Sequence, residues 1–68
     1  MSVYKVIDII GTSTTSWEDA AVTAVKTAGA SVRDLRVAEV IEQDLDLGGE
    51  GDEITFRVKL QISFKYDG

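Results

Sequence analysis

Alternating hydrophobic and polar residues dominate the second half of the chain. From Ile54 to Tyr66, apolar side chains occupy every even position and polar side chains every odd one. A period of two sustained over this length predicts a β-strand with one buried face. A less regular alternation from Leu35 to Leu47 predicts the strand before it, and the glycine-rich segment 48–52 between them is typical of a turn. The two strands are therefore predicted to form a long antiparallel hairpin.

The first half of the chain predicts one more strand and one helix. Residues 3–10 form a short run rich in β-branched side chains, which favours a strand that ends at Gly11. The hydroxyl-rich segment 12–16 then offers side-chain oxygens that can cap a helix. Apolar residues recur at helical spacing from Trp17, mostly as alanines that let a helix lie close to a sheet. Gly29 is predicted to end this helix as a left-handed C-cap.

Together these elements predict an α+β fold of order β-α-β-β, in which a three-stranded antiparallel sheet packs on one helix. No linker or repeat interrupts the chain, so residues 1–68 are expected to form a single domain. One helix covers only one face of such a sheet and is much shorter than the hairpin. Further copies of the same chain are the expected cover for the exposed strand edges.

The register of the hairpin is also predicted. If the apolar faces of both strands lie on the same side of the sheet, paired positions sum to an odd number. A two-residue turn at Glu50-Gly51 gives one such register and sets Glu42 opposite Lys59. It also sets Asp44 opposite Arg57, so both cross-strand pairs have opposite charges, which supports this register over its neighbours. The odd-numbered apolar residues of the second strand then lie on the same side of the sheet as the even-numbered apolar residues of the third.

Composition narrows the possible functions. The chain of 68 residues has no Cys and no His, which excludes disulfides, zinc sites of the usual kind, and thiol or imidazole catalysis. Its net charge of −5 disfavours binding to nucleic acid. Neither a signal peptide nor contact with a membrane is predicted, so the cytoplasm is the expected location. Nothing places two carboxylates in a pocket, and we expect a binding protein that is not an enzyme.

Several motifs carry a resemblance to a known family. A first strand ends in Gly11-Thr12-Ser13, Val37-Ala38-Glu39-Val40 opens the hairpin, and the alternating last strand ends near Phe64. With the alanine-rich helix between them, roughly residues 4–66 resemble the dodecin family. This resemblance implies a hollow homododecamer, so the expected partner is the chain itself. It also implies a flavin, riboflavin or FMN, that stacks in pairs near two-fold axes and is stored or quenched there.

Two positions differ from the flavin-binding dodecins. In those proteins a tryptophan that stacks on the isoalloxazine stands where this chain has Val37, and a glutamine stands where it has Arg57. The resemblance therefore makes Val37 and Arg57 the expected flavin-binding residues, although valine offers no aromatic face for stacking. Two alternatives stay open. Val37 also fits a core or interface position on the apolar face, and Arg57 also fits a simple ion pair with Asp44.

A second hypothesis of function starts from carboxylates. The segments SVYKVIDIIGTSTTSWE, RVA and IEQD are similar to a calcium-binding branch of the same family. Carboxylate oxygens are the hard ligands that Ca²⁺ prefers, which makes Glu42, Asp44 and Asp46 candidate metal ligands. On a strand, side chains two residues apart are separated by roughly 6.6 Å, so neighbouring subunits would have to complete a site. A solvated acidic face is the alternative interpretation of this run, which continues through Glu50, Asp52 and Glu53.

The sequence thus predicts a dodecin-like assembly that binds and stores a flavin. The alternative is a dodecin-like assembly that binds divalent cations, calcium above all, and little or no flavin. A purely structural or partner-recruiting cage is a third hypothesis that the residues leave open.

Overall fold

The computed structural model describes residues 1–48 and 53–66, and in these ranges it contains one helix and one three-stranded sheet. The elements in chain order are β1 (Tyr4–Ser13), α1 (Trp17–Ser31), β2 (Leu35–Asp46) and β3 (Thr55–Lys65). The central strand is β3, which pairs antiparallel with β1 on one side and β2 on the other. The predicted α+β architecture is confirmed. The predicted turn at Glu50-Gly51 lies outside the described residues.

The hydroxyl-rich segment closes the first turn of α1. Ser16 is the N-cap, and its side-chain oxygen accepts a hydrogen bond from the backbone N–H of Asp19 at 3.0 Å. The hydroxyl of Ser13 donates to the Asp19 carboxylate at 2.7 Å and accepts from the backbone N–H of Thr15 at 2.9 Å. Glu18 and Asp19 also place negative charge at the positive end of the helix dipole. These bonds fix the point at which the chain leaves β1 and enters the helix.

The prediction that Gly29 ends the helix is wrong. Gly29 lies inside α1, which continues to Ser31 and is followed by an extended C-cap at Val32. The N–H of Val32 donates to the carbonyl of Ala28 at 2.9 Å. The left-handed conformation falls instead on Asp34, with φ of 59°, and aspartate tolerates this region better than most residues. Glycine permits a left-handed cap but does not require one, so its position alone predicted the wrong boundary.

Gly11 does not end β1, because the strand continues to Ser13 and Gly11 pairs with Val58. Gly11 is buried where the helix crosses the strand. A Cβ at this position would overlap the carbonyl oxygen of Ala20 and lie 2.8 Å from the Cβ of Ala24. The glycine is therefore required by the close approach of α1 to β1.

The hydrophobic core lies between α1 and the central strand. Small residues of the helix face larger branched residues of β3, and this pairing lets the helix lie close to the sheet, as the alanine stripe predicts. The buried residues are Ala20, Ala24, Ala28, Val58, Leu60 and Ile62. Partly buried apolar residues of β1, α1 and β2, among them Ile7, Ile9, Trp17 and Leu35, extend the core at its margins.

Much of the sheet lies beyond the helix. The molecule measures 50 × 20 × 16 Å, whereas the 15 residues of α1 make a helix about 22 Å long. Every residue of β2 after Leu35 is exposed. Several of these exposed side chains are apolar, which is typical of a surface that another subunit covers. Within the described ranges, no helix is both long and apolar enough to cross a membrane.

Replacing Gly11 by alanine should destabilise the fold by about 1–3 kcal/mol, because the added methyl group forces α1 away from β1. Gly29→Ala is the matched control. Its Cβ would lie at an ordinary 3.6 Å from the Cδ1 of Leu35 and would replace a glycine within a helix, so it should stabilise by about 0.5–1 kcal/mol. Urea unfolding measures both values. A Gly11→Ala protein as stable as the wild type would contradict the close approach.

Candidate functional site

The face of the sheet turned away from α1, called here the helix-free face, carries every predicted site residue. Even-numbered residues of β3 pack on the helix, so the odd-numbered ones point to the helix-free face. The sheet register aligns residues of β1, β3 and β2 in rows across this face. Four successive rows are Thr12–Arg57–Asp44, Ile10–Lys59–Glu42, Asp8–Gln61–Glu39 and Val6–Ser63–Val37.

The charged end of the helix-free face has the predicted register. Glu42 pairs with Lys59, and Asp44 pairs with Arg57. The prediction made from the pattern of opposite charges is therefore confirmed for this part of the hairpin.

A β-bulge changes the register further along β2. Between Val40 and Glu42 the pairing with β3 shifts by one residue, which leaves Ile41 as the extra residue. After this shift Val37 pairs with Ser63 and points to the helix-free face, where its side chain is 62% exposed. The interpretation of Val37 as a core residue is wrong in the described chain. The adjacent apolar residues Val40 and Ile41 mark the point where the alternation changes phase, and this signal could have revealed the bulge. The interpretation of Val37 as an interface residue stays a prediction.

Asp44 and Arg57 form a bidentate ion pair across β2 and β3. The Nε of Arg57 donates to Oδ1 of Asp44 at 2.7 Å, and Nη2 donates to Oδ2 at 3.0 Å. These hydrogen bonds, together with the guanidinium charge, lower the pKa of Asp44 and raise the pKa of Arg57. Both side chains are close to half exposed. The carboxylate that the sequence offers as a metal ligand is therefore already engaged with a cation.

Trp17 fixes the backbone of the acidic strand to the start of the helix. Its indole Nε1 donates to the carbonyl oxygen of Asp44 at 3.1 Å. Its ring packs edge-on against Phe56, with centroids 5.2 Å apart and planes at 81°. Sequence reasoning assigned Trp17 to packing and missed the link to Asp44, because no local pattern reports a contact across 27 residues.

A small cavity opens at the charged end of the helix-free face. It has a volume of about 210 Å³ and is lined by Ile10, Glu42, Asp44, Arg57 and Lys59. Pockets for drug-sized ligands are usually roughly 300–1,000 Å³ and mostly apolar. This cavity is smaller and more charged than such pockets.

Val37 and Arg57 of one chain do not meet. Val37 pairs with Ser63, which lies six residues from Arg57 along β3, a distance of about 20 Å. A single flavin could therefore contact both Val37 and Arg57 only if these residues came from different subunits.

The predicted metal ligands lie on one edge of the sheet but do not form a closed site within one chain. Glu42, Asp44 and Asp46 occupy alternate positions of β2, and Oδ1 of Asp46 accepts the N–H of Gly48 at 3.0 Å. Across the described residues, no three His, Cys, Asp or Glu side chains are grouped closely enough to hold a metal ion. The carboxylates are of the ligand type that Ca²⁺ prefers, but those of the described chain do not surround an ion.

The family model described as Dodecin matches residues 3–67 of this chain. The chain belongs to the dodecin family. It is 65% identical over 65 residues to a protein named calcium dodecin from Mycobacterium tuberculosis, a match that covers 96% of this chain and 90% of that protein.

Solved structures agree with this assignment. The crystal structure of calcium dodecin from M. tuberculosis, described as a calcium-chelating antigen with a novel calcium-binding site, superposes with a TM-score of 0.87 at 62% identity. That match covers 96% of this chain and 91% of the other. Dodecin from Streptomyces davaonensis superposes with a TM-score of 0.88 at 27% identity and covers 98% and 97% of the two chains. The family resemblance and the fold predicted from the sequence are both confirmed.

The ion pair predicts an acid dependence of stability. The folded pKa of Asp44 lies below its unfolded value, so its contribution is full above the ordinary aspartate range and is lost as the pH falls through the folded pKa. The difference in melting temperature between the wild type and Asp44→Asn should therefore shrink between pH 7 and about pH 3. Glu42→Gln is the control, because Glu42 forms no salt bridge in the described ranges. An Asp44→Asn difference that stays constant with pH would contradict this role.

Proposed function

We propose that the protein is a homododecameric dodecin whose ligand is a divalent cation, calcium, in preference to a flavin. One observation carries this proposal: the helix-free face presents the carboxylates of Glu42, Asp44 and Asp46, but has valine instead of an aromatic ring at position 37. The identity of 65% to a protein named calcium dodecin supports the same choice of ligand.

The need for an assembly follows from the incomplete site. Ca²⁺ takes about 6–8 oxygen ligands at roughly 2.3–2.6 Å, and alternate carboxylates on one strand are too far apart to supply them. The outer edge of β2 is unpaired within the described chain, and its side chains are exposed. In the proposed assembly this acidic strand lies against another subunit, which brings carboxylates of two or more chains within reach of one ion.

Flavin binding, the first hypothesis from the sequence, is proposed to be weak. Val37 supplies apolar contact without a stacking partner, and the guanidinium of Arg57 is directed at Asp44. The loss of an aromatic pair removes about 0.5–1.5 kcal/mol beyond the burial of area. The proposed activity is reversible binding and sequestration of an ion, with no chemical step, and the cytoplasm stays the predicted location.

Calorimetric titration of the purified protein with CaCl2 and, separately, with riboflavin tests this proposal. We expect saturable binding of calcium and weak binding of riboflavin. The proposal is wrong if the wild-type protein binds riboflavin tightly, quenches its fluorescence and takes up no calcium.

Val37→Trp should tighten riboflavin binding and deepen the quenching of its fluorescence, because the indole restores a stacking surface. Calcium affinity should stay unchanged, since within one chain Val37 lies about 20 Å from the acidic end of the helix-free face. Val37→Leu is the matched control, with a larger apolar side chain but no aromatic ring. Equal gains in flavin affinity for both variants would show that burial of area, and not stacking, limits binding.

A further inference from the structure

We propose that an apolar groove between α1 and β2 binds the hairpin end of a second copy of this chain. The hairpin end is defined as residues 44–47 and 53–57, where β2 finishes and β3 begins. The contact joins two different surfaces, so it is heterologous and can continue from subunit to subunit around a closed ring. This inference rests on the assembly in the proposed function and adds the surfaces that form it.

The groove exists because α1 lies over β1 and β3 and leaves β2 bare. The helix lies directly against Gly11 of β1, whereas every residue of β2 after Leu35 is exposed. The groove that results has a volume of about 320 Å³. Val22 of α1 and Val40 of β2 line it and are 51% and 49% exposed, and the buried Leu60 lines it as well. Exposed apolar surface of this kind is typical of a contact with another protein.

The hairpin end carries a matching set of exposed apolar side chains. Leu45 pairs with Phe56, whose ring packs against Trp17 of α1, so Leu45 lies on the same side of the sheet as the helix. Leu47 and Ile54 lie just beyond the two strands, and all three aliphatic side chains are between 43% and 66% exposed. Branched side chains of this kind pack well into a groove of valine, alanine and leucine.

The hairpin end cannot reach the groove of its own chain. The indole of Trp17 bonds to the backbone of Asp44 and holds the start of α1 beside β2. From this point the helix runs back towards Leu35, while β2 runs on towards Leu47. Five helical residues in one direction and three extended residues in the other separate Val22 from Leu47 by on the order of 17 Å. A second copy is needed to bring the two surfaces together.

Charge also favours this occupant. Lys26 is the one charged residue among the described residues that line the groove. The hairpin end carries the carboxylates of Asp44, Asp46 and Glu53 against the single guanidinium of Arg57, so its described part is negative. Opposite charges on the two surfaces steer their encounter and fix the orientation in which they dock.

Docking in this way is compatible with the candidate site. Asp44 and Asp46 alternate with Leu45 along β2, so they point to the helix-free face. The contact therefore covers the leucine side chains and leaves these carboxylates on the opposite side of the sheet.

Cysteine cross-linking tests the contact directly, because the chain has no Cys of its own. Val22→Cys marks the groove and Leu47→Cys marks the hairpin end. The two variants are mixed in urea, refolded together and treated with a short bismaleimide. The mixture should give a covalent dimer on a denaturing gel, and neither variant alone should. Val6→Cys, an exposed valine of the helix-free face, is the matched control and should give no dimer with Val22→Cys.

Sedimentation of two charge variants of α1 gives a second measurement. Val22→Asp should lose the assembled particle, because it places a carboxylate in an apolar groove that receives a negative hairpin end. Thr23→Asp adds the same charge at the next residue, on the side of α1 that faces β1, and should keep the particle. Circular dichroism checks that both variants keep the helix.

The outcomes separate this inference from the proposed function. A cross-link from Val22→Cys alone shows that groove packs on groove, and a cross-link of equal yield with Val6→Cys shows no preference for the hairpin end. Either result, or a Val22→Asp protein that assembles like the wild type, overturns hairpin docking and leaves the dodecamer intact. A wild-type protein that sediments as a monomer overturns both.

Discussion

The structure depends on the packing of one short helix against one long sheet. The alanine face of α1 lies on the middle of β3, and Gly11 permits the closest approach to β1. This contact forms the whole buried core of the described chain, yet the helix is about 22 Å long on a molecule of 50 Å. One face of the sheet, both outer strand edges and most of β2 are consequently left uncovered.

The uncovered face is also where the candidate site lies. The bulge at Ile41 determines which side chains this face carries. It places Val37 on the face away from the helix, together with Glu42 and Asp44. The face therefore has an apolar end around Val37 and a charged end around Asp44. These two ends suit different ligands, and in one chain they are too far apart to form one pocket.

Much of this architecture could be predicted because the relevant signals are local. Period-two alternation identified β3, and opposite charges identified the pairing of Asp44 with Arg57. The errors have physical reasons. The bulge shows in the sequence only as one change of phase at Val40-Ile41, which is easily taken for irregular alternation. Glycine is equally compatible with the close helix contact at Gly11 and with a strand end. The bond from Trp17 to Asp44 depends on tertiary packing, so no sequence window contains it.

The sequence could predict which types of residue form the candidate site, but not how they are arranged. Carboxylates on alternate positions of a strand indicated a hard cation, and their spacing indicated that one chain was insufficient. The sequence did place Arg57 opposite Asp44, but only the structure shows that the pair is bidentate and half exposed. The ion pair favours the charged form of Asp44 and lowers its pKa.

The central claim is that calcium is held by carboxylates of the acidic strand from more than one subunit. Diffraction from crystals of the assembled protein grown with calcium tests it most directly. The account predicts a calcium ion coordinated by Asp44 or its acidic neighbours Glu42 and Asp46 of at least two chains. A calcium ion bound entirely by one chain, or bound without any of these carboxylates, would contradict it.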